Sequence, residues 1–233
     1  TSMSDQSSKT LESMSQAVWY NRWTLEKFAG YITGDILEVG CGIGNFTKSL
    51  TKYGKVTAID INNDYLEQAK KKVAGKAQIG FGDIEKGNYF FKGKVFDTIV
   101  CINVLEHIKD DVMALKNIYK LLKPNGTLIL HVPAHPFLYG SIDGSIGHFR
   151  RYEKEKLVDS IRRSGFEIDK IKRLNFIGAV GWFIVNKLFR DKQVKETKIT
   201  IFNLIAPIFL SLENIFEPSF GTSILVIASK KQI

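Results

Sequence analysis

The chain has 233 residues, 44% of them hydrophobic and 24% charged, which suits one well-buried core and excludes both a disordered chain and a small stapled scaffold. Its 33 lysines and arginines outweigh 24 acids, and the resulting +9 calls for an anionic partner or substrate. Two cysteines, Cys41 and Cys101, are too few for a disulfide framework, and the polar, Ser-rich stretch Thr1–Thr10 lacks a secretory pattern, so a cytoplasmic location is expected.

In chain order, a helix is expected from about Leu11 to Ala29, carrying Trp19, Tyr20 and Trp23. Ile36, Leu37 and Val39 then form an apolar run that leads into glycines at alternate positions, Gly40, Gly42 and Gly44. This reads as a buried strand breaking into a turn whose backbone must approach a ligand closely. Glu38 stands just before the turn, where a carboxylate can accept from ammonium or hydroxyl groups. A second strand, Lys55–Asp60, ends in an acid where a ribose would be held. A third, Ala77–Ile84, ends in Gly82-Asp83-Ile84, and a fourth, Val95–Cys101, runs on into Asn103-Val104-Leu105-Glu106-His107. Leu121–Leu130 closes a helix, turns at Pro124-Asn125-Gly126 and opens a fifth strand. Alternating strands and helices of this kind predict a Rossmann-like, doubly wound α/β fold, with Glu38, Asp60, Asp83 and Asn103 converging at the carboxyl ends of the strands.

The spacing Gly-x-Gly-x-Gly after an acid differs from the Gly-x-Gly-x-x-Gly of dinucleotide sites, which weighs against a nicotinamide-dependent oxidoreductase. Glu38-Val39-Gly40-Cys41-Gly42-Ile43-Gly44-Asn45, followed by Asp60 and Asp83, resembles the class I S-adenosylmethionine-dependent methyltransferases. The resemblance covers roughly residues 15–174 and the final strand. It implies a mostly parallel seven-stranded sheet with an antiparallel last strand, and S-adenosyl-L-methionine as cofactor, leaving S-adenosyl-L-homocysteine. It also implies cofactor contacts from Tyr20, Glu38, Gly40, Cys41, Gly42, Gly44, Asn45, Asp60, Ile61, Asp83, Ile84, Asn103 and Val104. Tyr20-Asn21-Arg22-Trp23 matches a first-helix pattern of such enzymes, which places Trp23 beside the substrate.

The segment 132–152 breaks the strand–helix pattern with two prolines and several glycines, and so reads as a lid over the substrate. Gly147-His148-Phe149-Arg150-Arg151-Tyr152 matches a stretch found in bacterial methyltransferases of this class. Tyr139, His148, Arg150, Arg151 and Tyr152 are therefore the expected substrate contacts, together with His107. His107 and His148 are rival general bases, since an imidazole suits removal of a hydroxyl proton. No metal is expected, because His131, His135 and His148 lack ligand spacing.

A helix near Glu153–Ser164 leads to a strand at Phe166–Leu174, and Thr222–Ser229 forms the last strand. Between them, residues 175–221 form an apolar, helical insertion in which neither apolar stretch reaches the length of a membrane span. The insertion either caps an acceptor pocket, builds a homodimer interface or lies on a membrane surface, given Lys187, Arg190, Lys192, Lys195 and Lys198 between its two apolar stretches. The expected whole is a single domain over 1–233, with 1–30 as a capping helix. Its expected activity is methyl transfer to oxygen of a small or lipid-like acceptor. Nucleic acid is disfavoured, because no aromatic-interleaved basic patch appears; an RNA methyltransferase and a non-catalytic scaffold are the alternatives.

Overall fold

The computed structural model describes residues 17–176, 178, 179 and 218–231, with Glu12 and Glu213 as isolated positions. Five strands run parallel: β1 (Asp35–Val39), β2 (Lys55–Asp60), β3 (Gln78–Asp83), β5 (Phe96–Ile102) and β6 (Leu122–Pro133). β4 (Asn88–Tyr89) pairs antiparallel with the end of β3. β8 (Ser223–Ser229) inserts antiparallel between β6 and β7 (Glu167–Leu174), giving the order β4-β3-β2-β1-β5-β6-β8-β7.

The strands are apolar on both sides because helices cover both faces, as a parallel sheet requires. Successive residues of β1 enter different cores. Ile36 packs in one with Trp23, Phe28, Leu50, Leu66 and Ala69, from α1 (Val18–Glu26), α2 (Thr47–Leu50), α3 (Asn63–Val73) and the link after α1. Leu37 and Val39 pack in the other with Leu115, Ile118, Leu157 and Ile161, from α4 (Asp111–Leu121) and α6 (Lys154–Arg163). Each such aliphatic side chain contributes about 1.5–3 kcal/mol on burial. Two helices start with a side-chain cap: Asn62 Oδ1 accepts from the Asp64 and Tyr65 amides at 2.9 and 3.3 Å, and Asp110 Oδ1 from the Met113 amide at 2.9 Å.

Three details differ from the sequence reading. The sheet has an eighth strand, the two-residue β4, too short to leave a periodic signal. The expected turn at Pro124-Asn125-Gly126 is absorbed into β6 as an irregularity: Phe96 pairs with Leu122, but Thr98 pairs with Thr127. Asn125 takes φ +59 there, and its amide donates to Lys230 O at 2.7 Å. The lid, expected to lack helix, contains a turn at Pro136–Leu138 and a short helix, α5 (Ser141–Ser145), with Leu138, Ile142 and Asp143 buried. No helix among the described residues is long and apolar enough to cross a membrane. Nearly all of the 175–221 insertion lies outside the described residues, as does the start of the expected first helix.

Candidate active site

The glycine turn follows β1 directly. Gly40, Gly42 and Gly44 take φ of +71, +50 and +81, which L side chains rarely adopt. A Cβ at Gly40 would also strike a methyl group of Val104, just past β5. Asp60 ties the turn to β2: its Oδ2 accepts from the Gly42 amide at 2.8 Å and its Oδ1 from the Asn62 amide at 2.9 Å. Each of its oxygens retains a further lone pair. Burial raises the Asp60 pKa, against the backbone amides that bind it.

Glu38 is buried behind the turn, and its Oε2 has no hydrogen-bond partner among the described residues. Burial pushes its carboxyl up to about 8; the Thr47 hydroxyl opposes this and the Asp60 charge adds to it. Cys41 is buried too, and desolvation, with the charges of Glu38 and Asp60, raises its pKa well above a reactive thiol's. Ile61 is 66% exposed beside Asp60, an open apolar platform at the strand end. Asp83 accepts from the Lys86 amide at 3.0 Å, and Ile84 is buried beside it. Asn45 Oδ1 accepts from Lys72 Nζ at 2.7 Å.

Asn103 sits at φ +53 and is held to β6 twice. Its amide donates to His131 O at 2.9 Å, and its Oδ1 lies 3.0 Å from His131 Nδ1. Burial pushes His131 down to about 4, so the ring is neutral and Nδ1 carries the proton toward the amide oxygen. This leaves the NH2 of the exposed Asn103 as a donor.

Two residues beyond Val104, the end of β5 meets the lid. Glu106 is fully buried, and neither carboxylate oxygen has a hydrogen-bond partner among the described residues. Burial pushes it up to about 7, eased by His148. The rings of His107 and His148 pack edge to face with centroids 4.6 Å apart. Desolvation and the neighbouring His148 push His107 down to about 4. His148 Nδ1 lies 2.9 Å from Asp143 Oδ1, which also accepts from Arg151 Nε at 2.8 Å. Asp143 Oδ2 accepts from the Gly140 amide at 3.0 Å. Burial alone would raise the Asp143 pKa, but His148 and Arg151 hold it below the usual range.

The structure therefore brings the two predicted bases, His107 and His148, together. The other lid residues expected to meet substrate all bond to the protein itself. Arg151 and Tyr152 are buried, with Arg151 bound to Asp143 and the Tyr152 hydroxyl 3.0 Å from Asp111 Oδ2. Arg150 pairs with Asp111 at 3.1 Å and donates to Lys109 O at 2.8 Å. Tyr139 donates to His148 O at 2.8 Å. Arg150 and Tyr152 fasten the lid to Lys109 and Asp111 of the body, while Arg151 and Tyr139 bond within the lid. Trp23, expected beside the substrate, is buried in the core, its ring stacked on Tyr20 at 5.9 Å between centroids. The Tyr20 hydroxyl lies among Ser223, Asn175 and Thr24, which ease a pKa that burial raises.

The sequence reading takes Glu106 only as part of the stretch Asn103–His107, in which His107 is the candidate base. It misses Asp143 and the His131–Asn103 pair. Asp143-x4-His148-x2-Arg151 was the available signal for the first; nothing local marks the second.

Residues 37–130 match the family described as Methyltransferase domain. The chain is 30% identical over 110 residues to a ubiquinone biosynthesis O-methyltransferase of Actinobacillus pleuropneumoniae, covering 44% of this chain and 47% of the relative. It thus spans about half the length of the curated relatives it matches. Its fold matches an S-adenosylmethionine-dependent methyltransferase from Clostridium acetobutylicum with a TM-score of 0.59, 15% identity and 91% coverage of each chain. It also matches phosphoethanolamine N-methyltransferase 2 from Haemonchus contortus, solved with S-adenosyl-L-methionine, with a TM-score of 0.61 and 19% identity, over 91% of this chain and 52% of that one. At such identities the two solved structures speak to the fold alone. Residues 37–130 thus match a methyltransferase domain, set in a fold shared with solved S-adenosylmethionine-dependent methyltransferases.

Proposed function

We propose that the chain methylates an oxygen of a small or lipid-like acceptor, with S-adenosylmethionine as donor. The observation that carries this reading is the continuity of the site. The glycine turn is packed against Val104, and two residues on lie Glu106 and the His107–His148 pair. A cofactor cradle and a set of proton-accepting groups thus lie at the carboxyl ends of the adjacent strands β1 and β5.

The residues present fit the cofactor. The turn leaves room where a side chain would strike Val104, and Glu38 keeps a buried oxygen without a partner. Asp60 offers lone pairs to ribose hydroxyls, Asp83 to an adenine amino group, and Ile61 and Ile84 offer apolar surface to a flat ring. When bound, S-adenosylmethionine supplies an electrophilic methyl group, so the protein's own share is orientation and exclusion of water. At the acceptor end, Asp143 fixes the proton of His148 on Nδ1, so the Nε2 lone pair faces Glu106. His107, held near 4, stays neutral at physiological pH.

An apolar acceptor is favoured by the surroundings of the lid. Phe137, Phe149 and Phe176 are exposed, and Phe220 stacks with His135 and Phe137 at 4.2 and 5.9 Å between centroids. The ubiquinone biosynthesis O-methyltransferases among its relatives point the same way. The test is incubation of the protein with methyl-labelled S-adenosylmethionine and cell extract, followed by organic–aqueous partition. Label in the organic phase supports the reading. Label confined to the aqueous phase removes the lipid-like acceptor and turns the search to polar metabolites and RNA.

A further inference from the structure

We propose that Glu106, His107 and His148 form a binding site for one divalent cation of the zinc type. One ligand atom from each residue lies within 4.8 Å of the others. The set is fully offered, since both oxygens of the buried Glu106 lack hydrogen-bond partners among the described residues. A buried carboxylate without partners is costly, and such groups are ordinarily satisfied by a donor or an ion.

The orientation of His148 is the second observation. Asp143 accepts from Arg151 and from the Gly140 amide, so it is ionised and the His148 proton sits on Nδ1. The lone pair of Nε2 then faces Glu106 Oε1 across 3.8 Å. Two acceptors face each other over a gap too long for a direct hydrogen bond. A cation held at about 2.0–2.2 Å from each ligand spans gaps from about 3.3 Å, at the tetrahedral angle, to just over 4 Å when the ligands are opposed. The measured gap lies within that range. A carboxylate behind the outer nitrogen of a ligating histidine is also the usual support for such a site, and Asp143 occupies that place, itself held by Arg151.

The ligands come from two segments that are tied together. The Phe149 amide donates to Glu106 O at 2.8 Å, which fixes the lid on the end of β5. Two imidazoles and one carboxylate are a mixed nitrogen–oxygen set, which favours zinc-like ions over magnesium. Three protein ligands leave a fourth position open, and the exposed side of His107 is where an acceptor oxygen would enter it. A hydroxyl bound there loses its proton to solvent at neutral pH more readily. Spacing alone does not reveal this site, because Glu106 and His107 meet His148 only in the fold.

The proposal goes beyond the methyl-transfer reading and is tested without any acceptor. The full chain, stripped with a chelator, is titrated calorimetrically with Zn2+ and in parallel with Mg2+, with Co2+ absorption as a reporter of coordination. S-adenosylmethionine is titrated separately. One-to-one Zn2+ binding is expected, with affinity lowered more than about 100-fold in Glu106→Gln and His148→Gln, and about 10–100-fold in Asp143→Asn. His107→Gln, at an exposed ring, guards against loss of fold in the buried variants and should also bind Zn2+ more weakly. Absence of Zn2+ binding, or affinity unchanged in Glu106→Gln and His107→Gln, overturns the proposal and leaves Glu106 holding a proton instead. Zn2+ binding without S-adenosylmethionine binding would sustain the metal site while removing the methyl-transfer reading.

Discussion

The two ends of the crevice are built differently. At the glycine end, the candidate site rests on backbone: three residues at positive φ, two amides fixed by Asp60, and a carboxyl behind them. At the lid end it rests on side chains from distant segments, Glu106 and His107 after β5 against Asp143, His148 and Arg151 in the lid. A backbone site is written in consecutive residues. A side-chain site is assembled only when the chain folds, so it tolerates no missing member and leaves little trace in the sequence.

If the glycine end is a backbone cradle, one β-branched side chain should destroy it. Gly40→Val must take φ +71 and displace Val104, so S-adenosylmethionine binding should fall below detection in calorimetry while the far-ultraviolet circular dichroism is kept. Binding unchanged in this variant would break the comparison at once. At the lid end, Asp143→Ala strands Arg151 in the interior, and unfolding in urea should show a loss of about 3–5 kcal/mol. A loss below about 1 kcal/mol, the worth of an exposed pair, would mean that the lid network is ornamental.

Titration sharpens the contrast, because each end contributes a buried carboxyl. Glu38 and Glu106 are pushed from 4.5 to about 8 and about 7, so the folded chain keeps protons that the unfolded chain releases. His107 and His131 are pushed from 6.5 to about 4, so the folded chain refuses protons that the unfolded chain takes. The two pairs offset each other between pH 4.5 and 6.5. Above 6.5 only the carboxyls remain unequal, and stability should fall toward pH 8 by about 2–3 kcal/mol at about 1.36 kcal/mol per unit. Urea melts at the two ends of that window should show the fall, and Glu38→Gln should remove most of it. A flat profile would place both carboxyls outside the buried environment described.

Asp60→Ala removes a charged hydrogen-bond acceptor from the ribose position and frees the Gly42 amide, and should weaken S-adenosylmethionine binding by about 1.5–3 kcal/mol in calorimetry. Arg150→Ala, at a part-exposed pair with Asp111, should cost less than about 1 kcal/mol of stability in urea. A larger loss would move Arg150 into the buried network with Arg151.

The order of the strands was legible because both-face burial writes itself as apolar runs, and the carboxyl-end crevice follows from parallel topology. Glu38, Asp60, Asp83 and Asn103 could be placed at the carboxyl ends of β1, β2, β3 and β5 from the sequence alone. What the sequence could not reveal is which donors the fold uses up. Arg151 and Tyr152 look like substrate contacts in a glycine-rich lid, yet their charges and hydroxyls are spent on Asp143 and Asp111. Trp23 looks like a site aromatic, yet the link after α1 and the sheet bury it. Asn103 and His131 pair across β5 and β6, a register contact that no local pattern encodes. β4 is too short to be periodic at all.

The central claim is that the backbone turn between β1 and α2 holds S-adenosylmethionine. It is tested most directly by titrating that cofactor into the wild-type chain and Gly40→Val side by side in a calorimeter. The account predicts saturable one-to-one binding to the wild type and none to the variant. No binding to the wild type, or equal binding to both, would contradict it.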